Sequence, residues 1–495
     1  MNNRTISGTD NFDWAGLYAP ENYSKLNILV FSLSKREAYR PILFSSNEIF
    51  CSPDCDTTSD DEHPRCIKTP SGAYDISIII KQLPGNWKPD LLIVKMDGTR
   101  RNIPLGVDKL KCPKVFIVGA PHHLYAPLRC LLDYLHEEKF DFILADHDRH
   151  HLHFFSEAGF GNVFWLPAIN IYPHLQEGTP KLLHDVSLIG NIGRFHPYRR
   201  HIAATLQQNY PQSCIGKLPH HEAAATYARS RININCSLNG DMNLRVFEII
   251  SSGGFLLTDT LAEASGLEML FKPGVECETY RDADEMTAKI DYYLAHPDAA
   301  AEIAAAGFKR FWREHDPRLK VKQLCDYVFD GKLDDRYSIA LDRRSTVTTS
   351  NYYEGINTRV AEYEFIQDLQ LHNRNPQILI MSDNFAAWTA DLSDLIRTDI
   401  YLHGDALRMK LSPEAAAKAR PLNSCPAMPV MWNCIVISAE TLKNSATVNE
   451  TLEYLLKNFP FDSLILDGSP DEDTLKMLNA AGLEASWDSN IPVYQ

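Results

Sequence analysis

The sequence predicts an α/β fold, with two doubly wound domains joined at a hinge and a further α/β domain at the C-terminal end. Three observations carry the prediction. Short β-rich runs alternate with amphipathic helical runs from residue 26 to residue 329, the pattern of a parallel sheet with helices on both faces. A stretch from 167 to 184 with three prolines, Pro167, Pro173 and Pro180, interrupts that alternation, which then restarts. Past Phe329 the chain turns polar (DGKLDDRYSIALDRRSTVTTSN) before strand-like runs resume. A chain of 495 residues is too long for one core. The expected divisions are domains at 1–172 and 173–330, a linker at 331–351, and a C-terminal domain at 352–495 with no role assigned.

In order, a polar lead-in of about 25 residues precedes a strand at 26–31, an amphipathic helix at 74–83 and strands at 91–94 and 114–118. A helix at 125–137, a strand at 140–145, a short helix at 151–158 and a strand at 163–166 complete the first series. The second has strands at 186–189, 213–215, 232–236, 255–258 and 275–280. Its helices are expected at 197–208, where proline sits in the first turn, and at 221–230, 244–252, 283–295, 298–306 and 317–329. The C-terminal domain shows strands near 378–381, 400–402, 434–438 and 463–467. Its first strand leads into SDNFAAW rather than a glycine-rich loop, so the dinucleotide and methyl-donor fingerprint is missing.

The 44% apolar and 23% charged content is that of an ordinary globular protein. A net charge of −15 argues against bulk nucleic-acid binding or an anionic membrane surface. No apolar run approaches a bilayer span and the first residues lack a leader pattern, so a cytoplasmic location is expected. The eleven cysteines read mostly as reduced core thiols. One group differs: Cys51, Cys55, His63 and Cys66, within CSPDCDTTSDDEHPRC, supply the ligand types of a structural zinc site at spacings that match no common motif. Free thiols are the favoured reading there.

Three constellations could carry chemistry. The stretch from Arg231 to Asp259, RININCSLNGDMNLRVFEIISSGGFLLTD, reads as strand, polar turn, helix, two glycines and strand. Arg245 and Glu248, three apart, share a helix face beside free backbone N–H groups, at the crevice where open α/β sheets bind ligands; a bare pair of this kind is more often a solvated ion pair. Gly190-Asn191-Ile192-Gly193-Arg194 follows a strand and precedes a helix with Arg199 and Arg200. Glycines there let amides approach a phosphate, although the same pattern makes ordinary tight turns. Third, two strand ends carry titratable groups: His122 and His123 after Gly119-Ala120-Pro121, and Asp146-His147-Asp148 after the strand at 140–145. A carboxylate–histidine pair can act as a general base near neutral pH, and loop histidines are also often simply solvated. No GxSxG, Walker loop or HExxH occurs.

Taken together, residues 188–329 resemble the glycosyltransferase-like proteins of the spore-maturation type, a branch of the GT-B superfamily. The resemblance rests on IGNIGR followed by arginines, on Asn233-Ile234-Asn235-Cys236-Ser237, on the R-x-F-E of Arg245 to Glu248, on GGFLLTD, on the helix MTAKIDYYLAHPDAAAEIAAAG and on REHDPRLKVKQL. It implies a GT-B-like pair of Rossmann-like domains facing across a cleft, with a nucleotide-diphosphate sugar held mainly by the second. Carried across, Glu248 accepts hydrogen bonds from the ribose; Arg245 and the amides at Gly190 and Leu244, with Arg194, hold the diphosphate. Asn191, Asn235, Ser237, Asp241 and Asn243 complete the donor site, and His122 lies near the donor sugar. Relatives often carry a glutamate eight residues before the ribose-binding one; here that position is Gly240, with Asp241 beside it.

The expected function is sugar transfer from a nucleotide-diphosphate sugar to an unidentified acceptor, without a metal or other cofactor. An inverting route would use His122 or Asp146 as base; a retaining route needs none. The alternatives are a catalytically silent GT-B scaffold that binds a sugar nucleotide or a partner protein, and an independent methyltransferase-like unit within 345–495. The C-terminal domain would recognise the acceptor or join copies of the chain.

Overall fold

The computed structural model describes residues 23, 25–34, 44–58, 65–121, 126–147, 149–171, 180–193, 197–237, 242–261 and 265–339, and shorter stretches between 360 and 494. Internal contacts divide the chain into two units, 1–156 with 160–339, and 157–159 with 340–495. Two Rossmann-like sheets lie in the first unit, facing across a cleft, and a third sheet lies in the second.

The first sheet uses β1 (Ile28–Phe31), β2 (Ile49–Ser52) and β3 (Arg65–Lys68) on one side. A separate two-stranded ribbon is made by β4 (Gly72–Asp75) and β6 (Asn102–Leu105). The sheet continues with β5 (Leu91–Met96), β7 (Lys114–Val118), β8 (Phe142–Ala145) and β9 (Val163–Trp165), in the parallel order β3-β2-β1-β5-β7-β8-β9. Every residue of β1 and β5 is buried, as helix-covered parallel strands require.

Two parts of this half of the unit differ from the sequence expectations. Residues 74–83 were expected to be helical, but Tyr74 lies in β4 and only Ser77–Ile80 forms a helix. The cause is tertiary: the Tyr74 phenol donates to Asn102 Oδ1 (2.7 Å), whose amide donates in turn to the carbonyls of Ser32 (2.7 Å) and Cys51 (3.2 Å). Strands β2 and β3 have no counterpart among the sequence expectations, because their apolar runs are short and flank an acidic stretch. There Cys51 and Cys55 are buried, and the Cys55 thiol donates to the carbonyls of Ser52 and Ile67, both 3.2 Å away. Burial pushes the Cys51 thiol far up, toward the protonated form that does not bind zinc. Among the described residues no group of three or more His, Cys, Asp or Glu could hold a metal ion; His63 lies outside them.

The second sheet is built from β10 (His184–Ile189), β11 (Cys214–Gly216), β12 (Ser230–Asn235), β13 (Leu256–Asp259) and β14 (Glu278–Tyr280), all parallel in the order β11-β10-β12-β13-β14. Val186, Leu188, Ile232, Ile234 and Leu257 fill its core together with Ile202, Met286 and Ile290 from helices. The helices that matter below are α1 (Pro127–Glu137), α2 (Pro197–Asn209), α3 (His220–Arg229), α4 (Leu244–Ser251), α5 (Ala283–Ala295), α6 (Pro297–Glu314) and α7 (Pro317–Asp330). Helix α6 continues eight residues past the expected 306, because Phe311 is buried and pays for the extension.

Helix α7 returns the chain to the first sheet. Tyr327 sets its ring edge-on against Phe142 and Phe164, with centroids 5.3 and 4.9 Å away, and Ser338 bridges to Phe164 in β9. Near its start, fully buried Lys320 donates to the Tyr337 hydroxyl (2.6 Å) and lies over that ring. Burial, with the Arg336 guanidinium nearby, brings the Lys320 pKa down to about 7. The unfolded chain therefore binds more protons between about pH 7 and pH 10. Charging Lys320 weakens the fold below that window, and the loss disappears as pH rises through it. Relative to Lys320→Met, the wild type should gain on the order of 1.4 kcal/mol per pH unit between pH 7.5 and 9.5 in urea unfolding.

The second unit has β15 (Ile378–Met381), β16 (Ile400–Leu402), β17 (Ala419–Pro421), β18 (Cys434–Ser438), β19 (Leu464–Asp467) and β20 (Val493–Tyr494). Their order is β17-β16-β15-β18-β19-β20, with β20 alone antiparallel. Leu379, Trp432, Ile435, Leu464 and Leu478 form its core. Strands β17 and β20 have no counterpart among the sequence expectations.

Candidate functional site

Each sheet of the first unit reverses its strand order once, between β1 and β5 in the first and between β10 and β12 in the second. A crevice opens outside the carboxyl ends of the strands at such a point. The two crevices meet in one cavity of about 420 Å³. From the first sheet, Leu33, Lys95, Asp97, Gly119 and His147 line it; from the second come Gly190, Asn191, Lys217, Asn243, Arg245 and Glu248, with His220.

The second wall is organised by α4. Its N-cap is Asn243, whose Oδ1 accepts the backbone N–H of Arg245 (3.1 Å), while Val246, Phe247, Ile249 and Ile250 bury its inner face. That bond fixes the orientation of the Asn243 amide, and its buried Nδ2 has no hydrogen-bond partner among the described residues. Arg245 donates through Nη1 to Asn235 Oδ1 (2.8 Å). Its other terminal nitrogen lies over Gly190: a Cβ built there would come within 2.1 Å of Nη2, and the Gly190 φ of +150° is itself unfavourable for a side chain. Gly190 is thus the space that the guanidinium occupies. Glu248, one turn on, has little exposed surface, and its Oε1 lies 3.4 Å from His220 Nδ1 at the start of α3. That contact raises the His220 pKa.

The first wall is built on a buried charge cluster. Asp146, just past β8, is fully buried; its Oδ2 accepts from Lys95 Nζ (2.6 Å) and Asn170 Nδ2 (3.0 Å), and its Oδ1 bonds His147 Nδ1. Lys95 and His147 hold its carboxyl well below the usual carboxylate range, against the cost of burial. The expectation that Asp146 itself serves as a base therefore does not fit its surroundings. It stays ionised, spends its oxygens on three neighbours and lines no part of the cavity, whereas His147 does.

Gly190, Asn191, Asn243, Leu244, Arg245 and Glu248 line the same cavity. Asn235 and Ser237 are not on the surface of the cavity: Asn235 holds Arg245 and donates to Thr258 Oγ1 (3.0 Å), and Ser237 donates through its N–H and hydroxyl to Asp259. Both support the wall from behind. Arg199 lines the cavity and donates to the carbonyls of Cys236 and Asn191. His122, Arg194, Gly240 and Asp241 lie outside the described residues. Sequence reasoning missed Lys95, Asp97, Lys217 and His220. Lys95 had a signal, a lone charge in the apolar strand LLIVKM.

Residues 174–326 match a family of proteins described as glycosyl transferase-like. Among solved structures, Alr3699/HepE of Anabaena in complex with UDP and glucose is 14% identical, with a TM-score of 0.43 over 62% of this chain and 100% of that one. Sucrose-phosphate synthase from Thermosynechococcus elongatus is 13% identical, with a TM-score of 0.42 over 62% and 99%. A glycosyltransferase from Rickettsia africae is 13% identical, with a TM-score of 0.41 over 62% and 99%. No curated protein matches the sequence. Among the described residues no helix is long and apolar enough to cross a membrane.

Proposed function

We propose that the chain transfers a sugar from a nucleotide-diphosphate sugar to a hydroxyl-bearing acceptor in the cavity between its two Rossmann-like sheets. The observation that carries this reading is the wall at α4, where anion-binding donors and a carboxylate share one helical turn. The Asn243 amide, the Arg245 guanidinium and the helix N-terminus suit a diphosphate. Glu248, one turn along, suits the ribose hydroxyls. The match of residues 174–326 to glycosyl transferase-like proteins supports the same reading.

Sugar transfer develops positive charge on the sugar ring and negative charge on the departing diphosphate. Fixed donors at Arg245 and Asn243 answer the second need, since they are in place before the bond breaks. The reading rests on these side chains alone and invokes no cofactor.

Its test is titration of UDP, GDP, ADP and dTDP by calorimetry, together with release of free nucleoside diphosphate from the corresponding sugars with water as acceptor. One diphosphate should bind, and its sugar conjugate should be turned over slowly. Glu248→Ala should weaken that binding about 100-fold or more with the unfolding midpoint kept, the loss of two charge-assisted hydrogen bonds. Unchanged affinity in Glu248→Ala would overturn the placement of the donor. Binding with no turnover of any sugar conjugate would leave a silent scaffold instead.

A further inference from the structure

Glu248 has a partner on its own wall. Its Oε1 lies 3.4 Å from Nδ1 of His220, the first residue of α3, and both side chains line the cavity. The pair is unequal: Glu248 keeps 12% of its side-chain surface and His220 46%, so the carboxylate is the covered member and the ring meets solvent. A carboxylate offers about four lone-pair sites, so a contact at Oε1 sets its plane and still leaves acceptors for ribose hydroxyls. The hydrogen bond to Glu248 raises the His220 pKa; partial burial opposes the rise and the carboxylate charge adds to it. Other titratable and charged groups surround the pair. Arg245 shares α4 with Glu248, Lys217 and Glu222 lie close to His220 in sequence, and Arg199 reaches the cavity from α2. Lys95, Asp97 and His147 line the opposite wall, and His221 faces Glu222 at 3.7 Å. Tyr227, also of α3, lies near Glu248 and Arg245, and burial keeps it a neutral phenol.

We propose that His220 is the positioning residue of Glu248, and that a proton on its ring and the nucleotide part of the donor strengthen each other's binding. This rests on the sugar-transfer reading above. The protonated ring donates from Nδ1 to Oε1, which holds the carboxylate in one orientation before the ribose arrives. It also adds a positive charge to the wall that receives an anionic ligand. By linkage, the ligand favours the protonated ring by the same factor by which the proton favours the ligand. The sign follows from the direction of the shift. The contribution is complete below the ordinary histidine value of about 6.5 and is lost as pH rises through the raised one.

The experiment titrates the full chain by calorimetry, at about pH 6 and about pH 9, with whichever of UDP, GDP, ADP and dTDP binds. His220→Asn is the reference, because its amide keeps a donor toward Glu248 and does not titrate. Taking the ratio to it cancels the titration of the ligand's own phosphate, of His147 and of His221. At the lower pH the wild type should bind about three- to tenfold more tightly than His220→Asn, the size of a charge-assisted contact that is half exposed. At the higher pH the two should agree within about twofold. His220→Ala, which has no donor, should bind more weakly than His220→Asn at both. Near neutral pH, in buffers of different ionisation enthalpy, the wild type should take up more protons on binding than His220→Asn. A wild-type to His220→Asn ratio that does not change with pH, or His220→Ala binding as tightly as His220→Asn, would overturn the proposal. So would a ratio that rises with pH, since the protonated ring would then compete with the ribose for Glu248. Each of these leaves sugar transfer intact. Failure of the wild type to bind any of the four diphosphates would remove the transfer reading, and this one with it.

Discussion

Replacing Gly190 by alanine should weaken nucleoside diphosphate binding by about tenfold to 100-fold and destabilise the first unit by about 1–3 kcal/mol. The two effects have separate causes. The stability loss comes from a backbone φ of +150°, which a side chain tolerates poorly. The affinity loss comes from the methyl group occupying the place of Arg245 Nη2, 2.1 Å from where the new Cβ would sit. The guanidinium is the end of a long side chain and swings aside at modest cost, but it then leaves the diphosphate wall. A double-mutant cycle separates this from general damage: in the Gly190→Ala background, Arg245→Ala should add almost no further loss of affinity. Additive losses in calorimetry would mean that Gly190 and Arg245 act independently, and the description of the site would be wrong.

Replacing Asp146 by alanine should cost about 3–5 kcal/mol of stability, more than any other single change considered for the first wall. Removing one partner of a buried charge cluster leaves the remaining charge without compensation. Here Lys95, whose Nζ lies 2.6 Å from Asp146 Oδ2, would lose that carboxylate. Lys95→Met in the same chain should recover a large part of the loss, because the double variant leaves no stranded charge. Chemical unfolding at pH 7 measures both. The pH dependence has a definite sign as well. The folded Asp146 pKa is depressed, so its contribution is complete above the unfolded value of about 4 and is lost only as pH falls toward the folded one. Wild type and Asp146→Ala should therefore differ fully at pH 5 and converge in strong acid. A constant difference down to pH 2 would show that Asp146 is not held as an ion.

The alternation of strands and helices was legible where a parallel strand is a short apolar run next to an amphipathic helix, as most strands of both sheets are. Lys114–Val118 and Ala283–Ala295 fall where periodicity put them. The failure at residues 74–83 has its cause in long-range hydrogen bonding. Tyr74 looks helical in its own neighbourhood and becomes a strand because Asn102 ties it to β1 and β2. The donor wall was readable because its residues are close in sequence, from Asn243 to Glu248. The opposite wall was not, since Lys95, Asp146 and Asn170 come from three separate elements, and only the sheet order brings them to one point. Local sequence named Asp146 and His147 together but not which of them faces the cavity.

The return of α7 to the first sheet carries a consequence for how the chain is made. Tyr23 donates to Asp326, 303 positions away, and Phe164 at the sheet edge waits for Ser338 and Tyr327. During synthesis the first sheet leaves the ribosome long before the residues that cover it. Contacts of such sequence separation form slowly, because the loop they close is large. Until α7 docks, the rings of Phe142 and Phe164 lack the cover of Tyr327 on a nascent sheet. The interval between making β9 and making α7, in which the second Rossmann-like sheet is synthesised, is thus one in which this edge of the first sheet lacks its cover.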